Sequence, residues 1–93
     1  MKVTAGSNGV FGPWTSALRA QAAQSSITVR CTESARIQIG VGPSGAEAII
    51  ADVTVGAGTG STTARQINPG DRIAVRAISA SVGMIDIEVS SAA

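Results

Sequence analysis

The feature that most constrains this chain is a strict period of two in its apolar residues. Ile27, Val29 and Cys31 alternate with Thr28 and Arg30, and Ile37, Ile39 and Val41 with Arg36, Gln38 and Gly40. Farther on, Ile73, Val75 and Ala77 alternate with Arg72, Ala74 and Arg76, and Ile85, Ile87 and Val89 with Asp86, Glu88 and Ser90. Successive side chains of a strand point to opposite faces, so each run writes one apolar and one polar face. The odd-numbered aliphatics are therefore expected to share one interior. Ala48–Val55 and Thr62–Ile67 read as further strands, which brings the expectation to six or seven. Bounded by Gly, Pro, Asn and Ser, such runs predict an all-β domain, an antiparallel β-sandwich or a jelly-roll-like body.

The punctuation between runs refines this picture. Residues 1–13 (MKVTAGSNGVFGP) show no sustained period and read as a Gly-rich arm, leaving one β-sandwich domain over residues 14–93. From Trp14 to Gln24 a short helix capped by Thr15 or Ser16 and an extended strand are both open. Asn68-Pro69-Gly70-Asp71 predicts a type II turn, with Pro at the first central position and Gly where φ must be positive. Gly56–Gly60 (GAGTG) reads as a flexible loop. A hairpin over Ser79–Gly83 would place Ala77 opposite Ile85 and Arg76 opposite Asp86.

The totals exclude several function classes. Ninety-three residues make one domain, with no room for a cofactor domain beside a substrate domain. Seven basic and six acidic side chains give a net charge of +1, without the basic stripe that gripping a nucleic acid requires. No run approaches a membrane span and no export signal opens the chain, so a soluble protein used without export is expected. Low charge and abundant small residues suggest a surface shared with neighbours.

Chemistry-bearing motifs are sparse. Gly40, Gly42 and Gly45 match the spacing that cradles a dinucleotide pyrophosphate. That fingerprint needs a following helix and an acidic residue about twenty positions on. Here Pro43 interrupts it, the chain turns β-branched at once, and GAGTGSTTA stands where the acid belongs. The stretch therefore reads as an inter-strand loop. The chain has no His, which removes the commonest acid–base group and metal ligand. Cys31 falls on an inward register and reads as a buried structural thiol. Asp86 and Glu88 share a strand face, but a sugar-cleaving site lacks its aromatic walls in a chain with one Trp and no Tyr. No catalytic, cofactor-binding or metal residue is assigned, and an enzyme is not expected. Arg30, Arg36, Arg72 and Arg76 occupy outward registers and are candidates for partner contact, ahead of solubility and of binding an anionic polymer, because acids interleave with them. Val10, Phe11 and Trp14 would be the apolar contacts of the arm. Trp14 is either a plug closing the sandwich or an anchor in an interface.

One resemblance adds to this reading. SITVRCTESARIQIGVGP, a variable Ala/Ser/Gly segment, and INPGDRIAVRAISASVGMIDIEVSSAA together resemble the small virion proteins of tailed bacteriophages, about one hundred residues long. The match is carried by Ile37, Ile39, Gly40 and Pro43, then by Ile67, Pro69, Gly70, Asp71, Ile73, Ala74 and Val75. The middle strand departs from the group's pattern, since GAGTGSTTARQI has neither the Pro nor the aromatic found there. The resemblance implies a capsid decoration or cement protein on the outer surface of the head, assembled in the host cytoplasm. Its partner would be the major capsid protein, and it would form a homo-oligomer, with a trimer favoured. Another virion part (head fibre, tail or head–tail joining protein) and a carbohydrate-binding attachment module are the alternatives.

Overall fold

The structure, a computed structural model, describes residues 1–43 and 48–93. Its strands are β1 (Lys2–Gly6), β2 (Thr15–Arg19), β3 (Gln24–Cys31), β4 (Ala35–Gly42), β5 (Ala48–Val55), β6 (Gly60–Ile67), β7 (Arg72–Ile78) and β8 (Met84–Ala92). Among the described residues there is no helix, so the all-β expectation holds and Thr15–Arg19 is the strand rather than the helix. The strands hydrogen-bond in the order β5-β4-β7-β1-β8-β3-β6, with β2 lying beside β7 as well. β5 and β6, the two ends of that order, approach each other, and the sheet is nearly barrel-shaped.

Parity builds the core. Ile27, Val29, Ile37, Ile39, Ile73, Val75, Ala77, Ile85 and Ile87 are all buried, joined by Val3, Val55 and Ile67. Every one is odd-numbered and aliphatic. Each fully buried Ile or Val contributes roughly 1.5–3 kcal/mol through removal of apolar surface from water. Ile49 is the exception that explains itself. β4 and β5 slip register between Ile39 and Gly40, so Ile49 stands opposite Gly40 and is 52% exposed. A bulge of this kind reverses the face of every residue beyond it.

Five expectations change. The first thirteen residues are not an arm, because Lys2–Gly6 runs through the middle of the sheet, parallel to β7 and antiparallel to β8. That insertion also cancels the β7–β8 hairpin: β1 occupies the place between them, and Arg76 does not face Asp86. The sheet is consequently mixed and has eight strands among the described residues rather than six or seven. Gly40 and Gly42 lie inside β4 rather than in a loop, while Gly45 falls outside the described residues. Gly56–Gly60 is tied down, with Gly58 N–H donating to the Cys31 carbonyl (2.9 Å) and Ala57 N–H to Ser34 Oγ (3.2 Å).

The Asn68–Asp71 turn forms as expected. Gly70 has φ of 89°, and Asp71 N–H donates to the Asn68 carbonyl at 3.1 Å. Its carboxylate closes the turn from the other side, accepting from Asn68 N–H at 3.1 Å.

Candidate functional site: an arginine and aromatic face

The even-numbered side chains of β7 and β4 point outward, and there the sequence places Arg72, Arg76, Arg36 and Gln38. Arg76, Gln38 and Asp52 stand directly opposite one another on β7, β4 and β5, forming one rung across three strands. Arg76 Nε donates to Gln38 Oε1 at 2.7 Å, and Gln38 Nε2 donates to Asp52 Oδ2 at 3.0 Å. Arg36 completes the row with a two-pronged pair, Nε to Asp52 Oδ1 at 2.9 Å and Nη2 to Oδ2 at 2.7 Å. These bonds hold the Asp52 carboxyl well below its ordinary value, at about 2, with the Arg36 hydrogen bond as the largest cause and Gln38 next.

Two aromatics from the segment after β1 lie on this row. The guanidinium carbon of Arg76 stands 4.5 Å from the Trp14 ring centre and 5.0 Å from that of Phe11. Arg36 reaches the same Phe11 ring at 5.3 Å. Both distances to Arg76 are within the range where a cation is attracted to the face of a ring.

The aromatics arrive there because of a tight turn. Asn8 (φ 55°) and Gly9 (φ 78°) form its centre, with Val10 N–H donating to the Ser7 carbonyl at 3.1 Å. Two consecutive positive φ values are the type I′ pattern that Asn-Gly favours. The chain then crosses β1 closely. A Cβ on Gly12 would run into the carbonyl oxygen of Thr4, and one on Gly6 into that of Val10. Gly12 N–H donates to the Ala77 carbonyl of β7 (3.1 Å), which lands Phe11 and Trp14 on the outer face of that strand.

The seven predicted contact residues therefore divide. Phe11, Trp14, Arg36 and Arg76 converge. Arg72 lies farther along the same face, its Nη1 donating to Ser16 Oγ at 3.3 Å. Val10 is 67% exposed in the adjoining turn. Arg30 does not belong to the group, since it sits on β3, three strands from β7, opposite Glu88. There it lines a shallow depression of ≈ 320 Å³ with Cys31, Thr32, Gly58, Asp86 and Glu88, where charges of both signs mix. Trp14 is 39% exposed on the outside, so it is not a plug in the core.

Sequence reasoning missed Gln38, Asp52 and Arg19. Gln38 and Arg36 share the outward parity of β4, which was the available signal. Arg19 stands directly opposite Arg72 on β2, and its Nε donates to the Gly70 carbonyl at 3.3 Å. Cys31 is buried, and that burial pushes its thiol up from the ordinary value. No group of three or more His, Cys, Asp or Glu able to hold a metal ion exists among the described residues. No helix there is long and apolar enough to cross a membrane. The chain matches no protein-family model, no curated protein and no solved structure.

Proposed function

We propose that this chain is a contact protein rather than an enzyme, a decoration or cement protein that binds the assembled head lattice of a tailed bacteriophage. The observation that carries the reading is the outer face of β7 and β4, where Trp14, Phe11, Arg76 and Arg36 are stacked and bonded into fixed positions. Trp and Arg are the side chains that most often dominate binding energy at protein interfaces. Held on a sheet by neighbours, they lose little freedom on binding. The resemblance of the β4 end and the Asn68–Asp71 turn to small virion proteins supplies the partner, the major capsid protein.

The physical task is to bury surface across the boundaries between capsid subunits. A protein that binds the assembled lattice and not the free subunit stabilises the lattice by mass action, by about 2.7 kcal/mol per site at a hundredfold excess over Kd. A small homo-oligomer, a trimer at three-fold lattice positions, would multiply the contacts each copy makes.

The test mixes purified protein with expanded capsids that lack it and measures the saturating copy number. Saturation at a number set by lattice three-folds or capsomer centres is the expected outcome. Binding at a single vertex, or to glycans and not to capsids, would overturn the proposal.

A further inference from the structure

Three guanidiniums on this face share a property that the other cations bonded to side chains lack. Arg76 is held by Gln38 Oε1, Arg72 by Ser16 Oγ and Arg19 by the Gly70 carbonyl, at 2.7, 3.3 and 3.3 Å. Each of these acceptors is neutral. By contrast Arg36 is paired with Asp52 and Lys2 with Asp86. Among the described residues no carboxylate pairs with Arg19, Arg72 or Arg76, so each keeps its charge and several unused N–H donors. A neutral acceptor orients a guanidinium without discharging it, which leaves the fork free for a carboxylate.

The spacing limits what fits. Arg19 and Arg72 are cross-strand partners about 5 Å apart at Cα, and Arg76 stands four residue steps along β7 from Arg72, about 13 Å. An extended segment with carboxylates at positions i and i+4 spans the same about 13 Å. Trp14, over Arg76, adds a half-exposed ring against which such a segment can pack. Acids flank the row. Asp52 lies two strands to the side of Arg76, on β5, and Asp71 adjoins Arg72 where β7 begins. A long polyanion continuing past Arg72 would meet Asp71, whereas a short acidic segment ending at Arg72 would not.

We infer that the outer face of β2 and β7, with Arg19, Arg72 and Arg76 beside Trp14, binds an extended acidic segment of a partner protein. This rests on the reading of the chain as a contact protein and adds the chemistry of the segment it contacts. Charge complementarity is the ground for the assignment, and the segment's carboxylates take the donors that Gln38, Ser16 and Gly70 leave unused.

Trp14 is the sole tryptophan and lies on the face, so the folded full chain carries its own reporter. The experiment titrates it with a blocked peptide, Glu-Thr-Glu-Thr-Glu-Thr-Glu, at low salt. The same peptide with Lys for Glu and a thymidine oligonucleotide serve as comparisons. The expected result is a saturable change in Trp14 emission with the acidic peptide alone, weakening as salt is added. Arg72→Gln or Arg76→Gln should each weaken it about tenfold, as loss of one charge-assisted bond implies. Arg30→Gln and Arg65→Gln, elsewhere on the sheet, should leave it unchanged. If Arg76→Gln does not fold, Arg72→Gln and Arg19→Gln decide, because each removes only one long, exposed hydrogen bond. No saturable change, equal weakening by Arg30→Gln, or tighter binding of the oligonucleotide would overturn the inference. Capsid binding unaffected by Arg72→Gln and Arg19→Gln would also discard this surface while retaining the cement reading. Peptide binding without capsid binding would do the reverse.

Discussion

Gln38 sits between a cation and an anion, opposite Arg76 on one side and Asp52 on the other, and its amide is oriented by both. Its oxygen faces the guanidinium and its NH₂ faces the carboxylate, an arrangement that only one flip of the amide satisfies. Asp52 is thus held by donors from two residues, and its carboxyl lies at about 2 instead of the ordinary 3.8. A carboxyl depressed by folding contributes stability that is fully present above the unfolded value near 4 and is lost as pH falls through about 2. Melting temperature should therefore drop between about pH 4 and pH 2, and Asp52→Asn should remove part of that drop. Because the pair is at the surface, added salt should shrink the difference between wild type and variant. Asp86, also lowered, chiefly by a hydrogen bond from the Met1 amino group and next by Lys2, accounts for acid sensitivity that persists in the variant. A thermal melt series at several pH values reads this directly, and parallel curves for the two proteins would refute it.

At the scale of elements, the decisive one is β1. It has a single buried large side chain, Val3, yet it bridges β7 and β8 and so joins the two halves of the sheet. Deleting residues 1–13 should leave both neighbours with unpaired edges and abolish cooperative unfolding, seen as loss of a thermal transition and of amide dispersion. A deletion that melts like the intact chain would show β1 to be dispensable. Gly12→Ala is the milder form. Its Cβ meets the Thr4 carbonyl, and the cost should be about 1–3 kcal/mol, as for other overpacked positions. Why β1 escapes sequence reading is physical. Lys2–Gly6 offers one alternation, too few to declare a face, and its strand character comes from the slot it fills. Asn8-Gly9 was the legible signal, since that pair marks a turn that folds the chain back. The same limit explains the β7–β8 pairing. Alternation states which face a residue takes, so the buried set from Ile27 to Ile87 could be read, but it does not state which strand lies alongside. The outward parity of Arg36, Arg72 and Arg76 was readable for that reason. Their meeting with Phe11 and Trp14, and the separation of Arg30, depend on neighbour order and were not.

For the whole molecule, neighbour order also dictates how folding must proceed. The radius of gyration, 12.3 Å, is that of a fully collapsed chain of this length, so the sheet has no spare part that could form late without cost. β1, at the start of the chain, pairs through Ala5 with Ala77 and through Val3 with Ile85. Closing those contacts requires most of the chain to be positioned first, and loop-closure entropy opposes it until the ladders form. Proteins dominated by such distant pairings refold in milliseconds to seconds instead of microseconds. Stopped-flow dilution from denaturant, followed by Trp14 emission, should give a phase in that range. The aromatic reaches Arg76 only after the chain has crossed β1, so emission should recover together with the far-ultraviolet strand signal and not before it. A chain ending at Ile78, which lacks β8 and with it the antiparallel partner of β1 and one of the two of β3, should show neither signal. Microsecond recovery, or a folded truncated chain, would mean that the strands from β1 to β7 form a self-sufficient body and that β8 is added to it. The arginine and aromatic face would then be complete without β8, because Phe11, Trp14 and Arg76 all lie in that body.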